Sequence, residues 1–207
     1  MRIVKAKFYI EPFSVTSLMR KLERKARNCY KSEGMICPGS AEKLLAKLIE
    51  RGHWPMFDHA HISVLFTVDR GITHETVRHR VAAYAQESTR YCNYSKGKFG
   101  NQITVIDIRP HTTPEQFDEW LLAMKDAERH YFRMIELGAK PEIARSVLPN
   151  SLKSDIWCTY DITEWRHFFS KRTPDTAHPQ MREVTRPLLK EFRKRLPLLF
   201  SDVGVVG

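Results

Sequence analysis

Between Ala60 and Val68 the chain alternates: Ala60, Ile62, Val64, Phe66 and Val68 are apolar, with His61, Ser63 and Thr67 between them. Successive side chains of a strand point to opposite faces, so this run makes a strand with one face to bury. Such a face demands a cover, and the preceding sequence supplies it. Val15, Leu18, Met19, Leu22 and Ala26 recur at helical spacing. A second helix is expected from Ser40, as N-cap, to Gly52, with Leu44, Leu45, Leu48 and Ile49 inward.

Further along, Ile103 to Ile108 reads as another strand, and the stretch from Thr73 to about Ser88 is compatible with helix. Asn93 to Asn101, with Gly97 and Gly100, reads as a loop. Thr113-Pro114-Glu115-Gln116 combines an N-cap, a proline at the first helical position and a glutamine three residues after the cap. It opens a long helix through Trp120, Met124 and Tyr131 to Gly138. A short helix from Pro141 to Val147, an extended piece at Ile156 to Tyr160, a helix from Thr163 to Lys171 and a last helix from Pro179 to Leu196 complete the reading, with Pro187 expected to kink the last. Helices mixed with a few strands that do not follow a βαβ rhythm predict an α+β fold, an antiparallel-leaning central sheet flanked by helices. No repeat, low-complexity run or linker divides the chain, so residues 1–207 are expected to form a single domain.

Composition narrows the functional classes. With 42% hydrophobic residues, the chain can bury a core and is not a disordered scaffold. No apolar stretch approaches the ~18 residues of a membrane span, and the first residues lack the apolar run of a secretion signal, so the cytoplasm is the expected location. Four scattered cysteines without a Cys-x-x-Cys pair predict reduced thiols rather than a disulfide framework or a zinc site. A net charge of +10 favours anionic ligands.

Glycine cradles for phosphates are missing: neither Gly-x-Gly-x-x-Gly nor a complete phosphate loop occurs, so a bound phosphate must be held mainly by side chains. His74 and His79 are five apart, roughly 140° around a helix, and cannot share a metal on an intact one. His53, His59 and His61 read as surface histidines, and no metal is expected. The densest chemistry lies from Arg78 to Tyr91. Arg78 and Arg80 would stand about 200° apart on a helix, which suits two ligands or two subunits. Ser88 and Arg90, past the fraying end, suit either a nucleotide monophosphate or simply a solvated basic helix face.

Arg78-His79-Arg80, seven residues, then Ser88 resembles the signature of the flavin-dependent thymidylate synthases. The likeness continues through Arg90-Tyr91. Gly52-His53 with Phe57-Asp58-His59, Ala144-Arg145 with Val147-Leu148-Pro149, and Trp165 to Arg172 followed by His178-Pro179-Gln180 resemble other blocks of the same family. The resemblance implies an enzyme that methylates dUMP to dTMP with methylene-tetrahydrofolate as carbon donor and FAD reduced by NADPH. It also implies a homotetramer whose active sites are shared between subunits. Carried over residue by residue, His53, Arg78, His79, Arg80 and His167 would contact the flavin. Gln86, Ser88, Arg90, Arg145 and Arg172 would hold dUMP, with Arg172 at the uracil edge as the catalytic group. No Pro-Cys nucleophile is apparent, so no cysteine adduct is expected.

Departures from the family pattern are Ala83, Ala85 and Gln86 in the signature, and Asp161, Thr163 and His167 where Asn, Arg and Asn are usual around the flavin. They leave open a paralogue that methylates or hydroxymethylates another pyrimidine nucleotide, such as UMP or dCMP. A basic nucleic-acid-binding protein using Arg193-Lys194-Arg195 is the remaining alternative, although that cluster also suits a helix C-terminus.

Overall fold

A computed structural model describes residues Met1–Gly204. In chain order it contains β1 (Arg2–Val4), β2 (Lys7–Ile10), α1 (Val15–Asn28), α2 (Ser40–Glu50), β3 (His61–Asp69), α3 (Arg70–Thr76) and β4 (Ala82–Gln86). There follow β5 (Thr104–Ile106), α4 (Pro114–Glu136), α5 (Pro141–Ala144), β6 (Lys153–Asp161), α6 (Ile162–Arg172), α7 (Pro179–Arg195) and α8 (Pro197–Phe200). A four-stranded sheet has the order β2-β3-β6-β4, and β1 pairs with β5 in a separate parallel pair, Ile3 opposite Val105. In the larger sheet Ser63 meets Thr159 at 2.9 Å and Thr67 meets Asp155 at 2.6 Å. Advancing along β3 therefore means retreating along β6, the antiparallel pairing the sequence predicts. Among the described residues no helix is long and apolar enough to cross a membrane.

The chain divides into two compact units. The first comprises Met1–Phe8, Phe66–Arg78 and Tyr84–Trp157; the second comprises Tyr9–Leu65, His79–Ala83 and Cys158 onward. In the first, α4 starts as its sequence dictates: Thr113 Oγ1 accepts from Gln116 N–H at 3.3 Å while Gln116 Oε1 accepts from Thr113 N–H at 2.9 Å. Its apolar stripe carries Met124 and Tyr131 into a core with Tyr94, Ile103, Val105 and Leu152.

In the second unit, α1 buries Leu18, Met19 and Leu22, and Trp165, Phe168 and Phe169 of α6 are fully buried with Phe192 and Phe200. The Trp165 ring lies 5.1 Å from Phe192 and 5.6 Å from Phe169, and its Nε1–H donates to Ile62 O at 2.9 Å. The indole thereby ties α6 to β3 at both its apolar body and its polar edge.

Two expectations need correction. The stretch from Thr73 to Ser88 is not one helix: α3 ends at Thr76, Arg78, His79 and Arg80 lie outside any helix or strand, and β4 follows. Three alanines in Ala82–Gln86 favour helix intrinsically, but alternate side chains here find partners only if the chain is extended. Tyr84 Oη donates to Thr76 O at 2.9 Å, and Gln86 Nε2 donates to Thr73 Oγ1 at 2.9 Å and Ser154 Oγ at 3.0 Å. The 200° separation of Arg78 and Arg80 therefore does not apply. Second, Ser40 is not the N-cap of α2 but its first residue, after Gly39 at φ 77°. Its hydroxyl lies 2.6 Å from Glu23 Oε1 and accepts from Cys37 N–H at 3.0 Å. The short strands β1 and β2 had no readable signal, since three or four residues are too few to establish a period.

Candidate functional site

In the second unit the site is built on α6. Asp161 caps the helix, accepting from Glu164 N–H at 2.6 Å, and burial pushes the Asp161 carboxyl up from its ordinary range against that bond. The 3.6-residue period places Trp165 and Phe169 in the core and Glu164, Phe168 and Arg172 along another stripe. His79, 6% exposed, meets this stripe. Its Nδ1 lies 2.6 Å from Glu164 Oε1, and Arg172 Nε donates to its Nε2 at 3.2 Å. The imidazole packs 5.0 Å from Phe168 and 5.5 Å from His167, ring centre to ring centre, with Tyr160 behind at 6.1 Å. Burial pushes the His79 pKa down; Glu164 opposes this, while Arg172 and His167 add to it.

Arg172 is anchored at its backbone as well, because Thr185 Oγ1 of α7 donates to its carbonyl at 2.7 Å. His167 and Arg80 are exposed. So is His53, whose N–H reaches Leu48 O at 2.8 Å beyond Gly52, a position whose φ of 68° suits glycine. The ligand atoms of His79, Glu164 and His167 lie within 4.8 Å of one another. Both ring nitrogens of His79 are engaged, however, one by Glu164 and the other by a guanidinium whose charge repels a cation, which argues against a metal ion at this trio.

In the first unit the loop after β4 carries Ser88, Thr89 and Arg90. The Ser88 carbonyl accepts from Cys92 N–H at 2.9 Å and its Oγ accepts from Arg90 N–H at 3.3 Å, which makes a compact turn. Arg145, from the 3-10 turn after α5, donates to Thr89 Oγ1 at 3.3 Å, so an exposed guanidinium sits against that turn. Arg90 pairs with Glu142 at 3.1 Å at the surface. Neither Arg145, Arg78 nor Arg80 has a carboxylate partner among the described residues, which leaves three guanidiniums whose charge an anion can match. Glu87 turns the other way, with Lys153 Nζ at 2.7 Å and Tyr94 Oη at 3.1 Å, beside a cleft of about 710 Å³ lined by Cys92, Tyr94, Lys98 and Lys153. A larger hollow of about 840 Å³ follows the exposed basic face of α1, at Arg20 and Arg24, and none of the candidate residues lines it.

The structure thus gathers His79, His167 and Arg172 in the second unit and Ser88, Arg90 and Arg145 in the first. Gln86 is occupied by Thr73 and Ser154. Glu164 escaped the sequence reading. It stands three residues after an N-cap, where an acidic residue already has a reason to be, and nothing in its spacing points to a histidine 85 positions earlier.

Residues 14–198 match the family model described as thymidylate synthase complementing protein. The chain belongs to that family, the flavin-dependent thymidylate synthases. It is 33% identical over 166 residues to the flavin-dependent thymidylate synthase of Pyrococcus horikoshii, covering 79% of this chain and 67% of that one. With the Pyrococcus furiosus enzyme it shares 31% over 163 residues, 77% of this chain and 66% of the relative. With that of Geobacter sulfurreducens it shares 28% over 186 residues, 86% and 79%. The chain therefore spans about two thirds of the length of the Pyrococcus thymidylate synthases. Its fold is similar to that of the crystal structure of PolB, described as a UMP/dUMP methylase from Streptomyces cacaoi, bound with 5-Br dUMP, with a TM-score of 0.78 at 22% identity over 97% of this chain and 96% of that one. Enzymes of the family are flavin-dependent methyltransferases.

Proposed function

We propose that this flavin-dependent thymidylate synthase family member transfers a one-carbon unit from methylene-tetrahydrofolate to C5 of dUMP, with FAD as cofactor and NADPH as reductant. The proposal includes a homotetramer in the cytoplasm, with active sites at subunit interfaces. The observation that carries the reading is the half-buried Arg172 guanidinium, held at its backbone by Thr185 and at its Nε by the buried His79.

The residues present suit a flavin dinucleotide. Arg78 and Arg80 offer exposed guanidiniums for phosphate, His53 and His167 offer exposed imidazoles, and Thr163 Oγ1 is buried without a hydrogen-bond partner, a hydroxyl that a bound group can satisfy. Held by these residues, a reduced flavin would provide the hydride-transfer chemistry the reaction needs. On the nucleotide side, Arg145 takes the phosphate, with the Ser88 hydroxyl and Arg90 beside it, and Gln86 lies at the start of the same loop. Arg172 meets the uracil edge, where a preorganised guanidinium stabilises the negative charge that develops on the ring oxygen during transfer. Thiol attack is not part of this scheme. Cys158 is buried, its thiol pushed up to about 12, and burial raises Cys92 also, so neither supplies a thiolate near neutrality.

The test is tritium release from dUMP labelled at C5 by the purified protein, with the product identified by mass. Release that needs both NADPH and methylene-tetrahydrofolate is the expected result, and a protein that carries no flavin and releases no tritium refutes the reading. A second reading, UMP as substrate, is favoured by two observations: Gln86 stands where the family signature has a glutamate, and the similar fold of PolB belongs to a protein described as a UMP/dUMP methylase. Turnover on dUMP, UMP and dCMP compared side by side decides it.

A further inference from the structure

Guanidinium nitrogens have no lone pair to offer, so the contact from Arg172 Nε to His79 Nε2 at 3.2 Å requires that Nε2 be unprotonated. A neutral imidazole carries its single proton on the other nitrogen, Nδ1, and this is the nitrogen that faces Glu164 Oε1 at 2.6 Å. The two contacts thus demand the same tautomer. Glu164 is itself set by the start of α6, where Asp161 holds its backbone N–H at 2.6 Å. Arg172 lies two turns further along that helix.

We propose that Glu164 is a positioning residue for the reaction: by accepting the Nδ1 proton of His79 it keeps the Nε2 lone pair turned toward Arg172 and thereby aims the guanidinium at the pyrimidine. This rests on the nucleotide-methylating reading above and adds to it a residue and a protonation state. A second proton on His79 would sit on Nε2, where it opposes the Arg172 N–H and adds a like charge, so the guanidinium is released when His79 is protonated. The groups facing the imidazole are Glu164, His167 and Arg172 from α6 and Tyr160 from β6, with Asp161 next to Glu164 and Arg78 and Arg80 flanking in sequence. Of these, Glu164 favours the imidazolium, and Arg172 and His167 disfavour it. Loss of the Glu164 charge therefore moves His79 titration to lower pH.

The experiment uses the full-length protein labelled with nitrogen-15 in histidine, with His79 assigned from H79Q, and kinetics of Glu164→Ala and Glu164→Gln. In the wild type at neutral pH, His79 Nε2 should resonate as a lone-pair nitrogen and Nδ1 as N–H. E164A should lose roughly ten- to a hundredfold in kcat, the range expected for one charge-assisted hydrogen bond, with a smaller change in KM. It should also gain the Nε2–H form. E164Q, which keeps an acceptor of the same shape, should recover part of the rate while its acid limb shifts to lower pH. Should E164A fail to fold, the isosteric E164Q reads the same limb. An Nε2–H tautomer in the wild type overturns the proposal, and so does a Glu164 variant with the rate and acid limb of the parent. If the wild type turns over no pyrimidine nucleotide, the functional reading falls, while the resonances still decide the tautomer.

Discussion

Replacing Arg27 by Met while Glu23 stays would strand a carboxylate that is 1% exposed. Glu23 Oε1 now accepts from Arg27 Nε at 2.8 Å and lies 2.6 Å from the Ser40 hydroxyl, which holds the end of α1 to the start of α2. With Arg27 gone, the carboxylate keeps one neutral donor, and that hydroxyl has a competing acceptor in Cys37 O at 2.7 Å. An uncompensated buried charge costs about 3 to 5 kcal/mol, which at roughly 2 to 4 °C per kcal/mol for a chain of this size lowers Tm by about 6 to 20 °C. The double variant E23L/R27M removes both charges, and replacing a buried ion pair with apolar residues is often neutral or better, so it should lie within about 1 kcal/mol of the parent. Urea denaturation of parent, single and double variants, compared at equal slopes, measures the cycle. If R27M loses less than about 1 kcal/mol, or the double variant loses as much as the single, the stranded charge is not the source of the loss and the Glu23 carboxylate finds another donor.

One source of acid sensitivity lies in the first unit, where Lys153 Nζ lies 2.7 Å from Glu87 and 2.8 Å from Asp155. Burial alone would raise the Asp155 carboxyl, but hydrogen bonds from Lys153 and Thr67 overcome it and hold the group below its ordinary range. The resulting stabilisation is complete above the unfolded aspartate value of about 3.9 and is lost as pH falls through the lower folded value. K153M should flatten stability against pH below about pH 4, and parallel curves for variant and parent would refute this. Lys153 itself is held above its ordinary value by the two carboxylates against the effect of burial, so its contribution disappears only as the solution becomes strongly alkaline. Thr163→Val keeps the side-chain shape and removes the orphaned hydroxyl. The flavin-free protein should gain about 1 to 3 kcal/mol while flavin affinity falls, as measured by melting and by flavin fluorescence. Unchanged flavin affinity would remove Thr163 from the cofactor site.

Elements whose side-chain pattern repeats over several turns were legible in the sequence. The capped helix from Pro114 to Glu136, the alternating strand at His61–Asp69 and the helix carrying Trp165 to Arg172 lie where periodicity placed them. The residue types and spacing around Arg78-His79-Arg80 and Ser88 also sufficed to point to the family.

Tertiary structure decided what local signals leave degenerate. Ala82–Gln86 has the alanines of a helix and became a strand because Thr73, Thr76 and Ser154 offer partners to alternate residues of extended chain. The contacts of the His79 ring nitrogens come from two neighbours on α6, 85 and 93 positions away: Glu164, which reads in sequence as an ordinary helix-start charge, and Arg172, which the family resemblance places at the nucleotide but not at a histidine. A sequence states which groups are available, but hydrogen-bond geometry exists only after distant segments have packed, and that geometry sets where the protons reside.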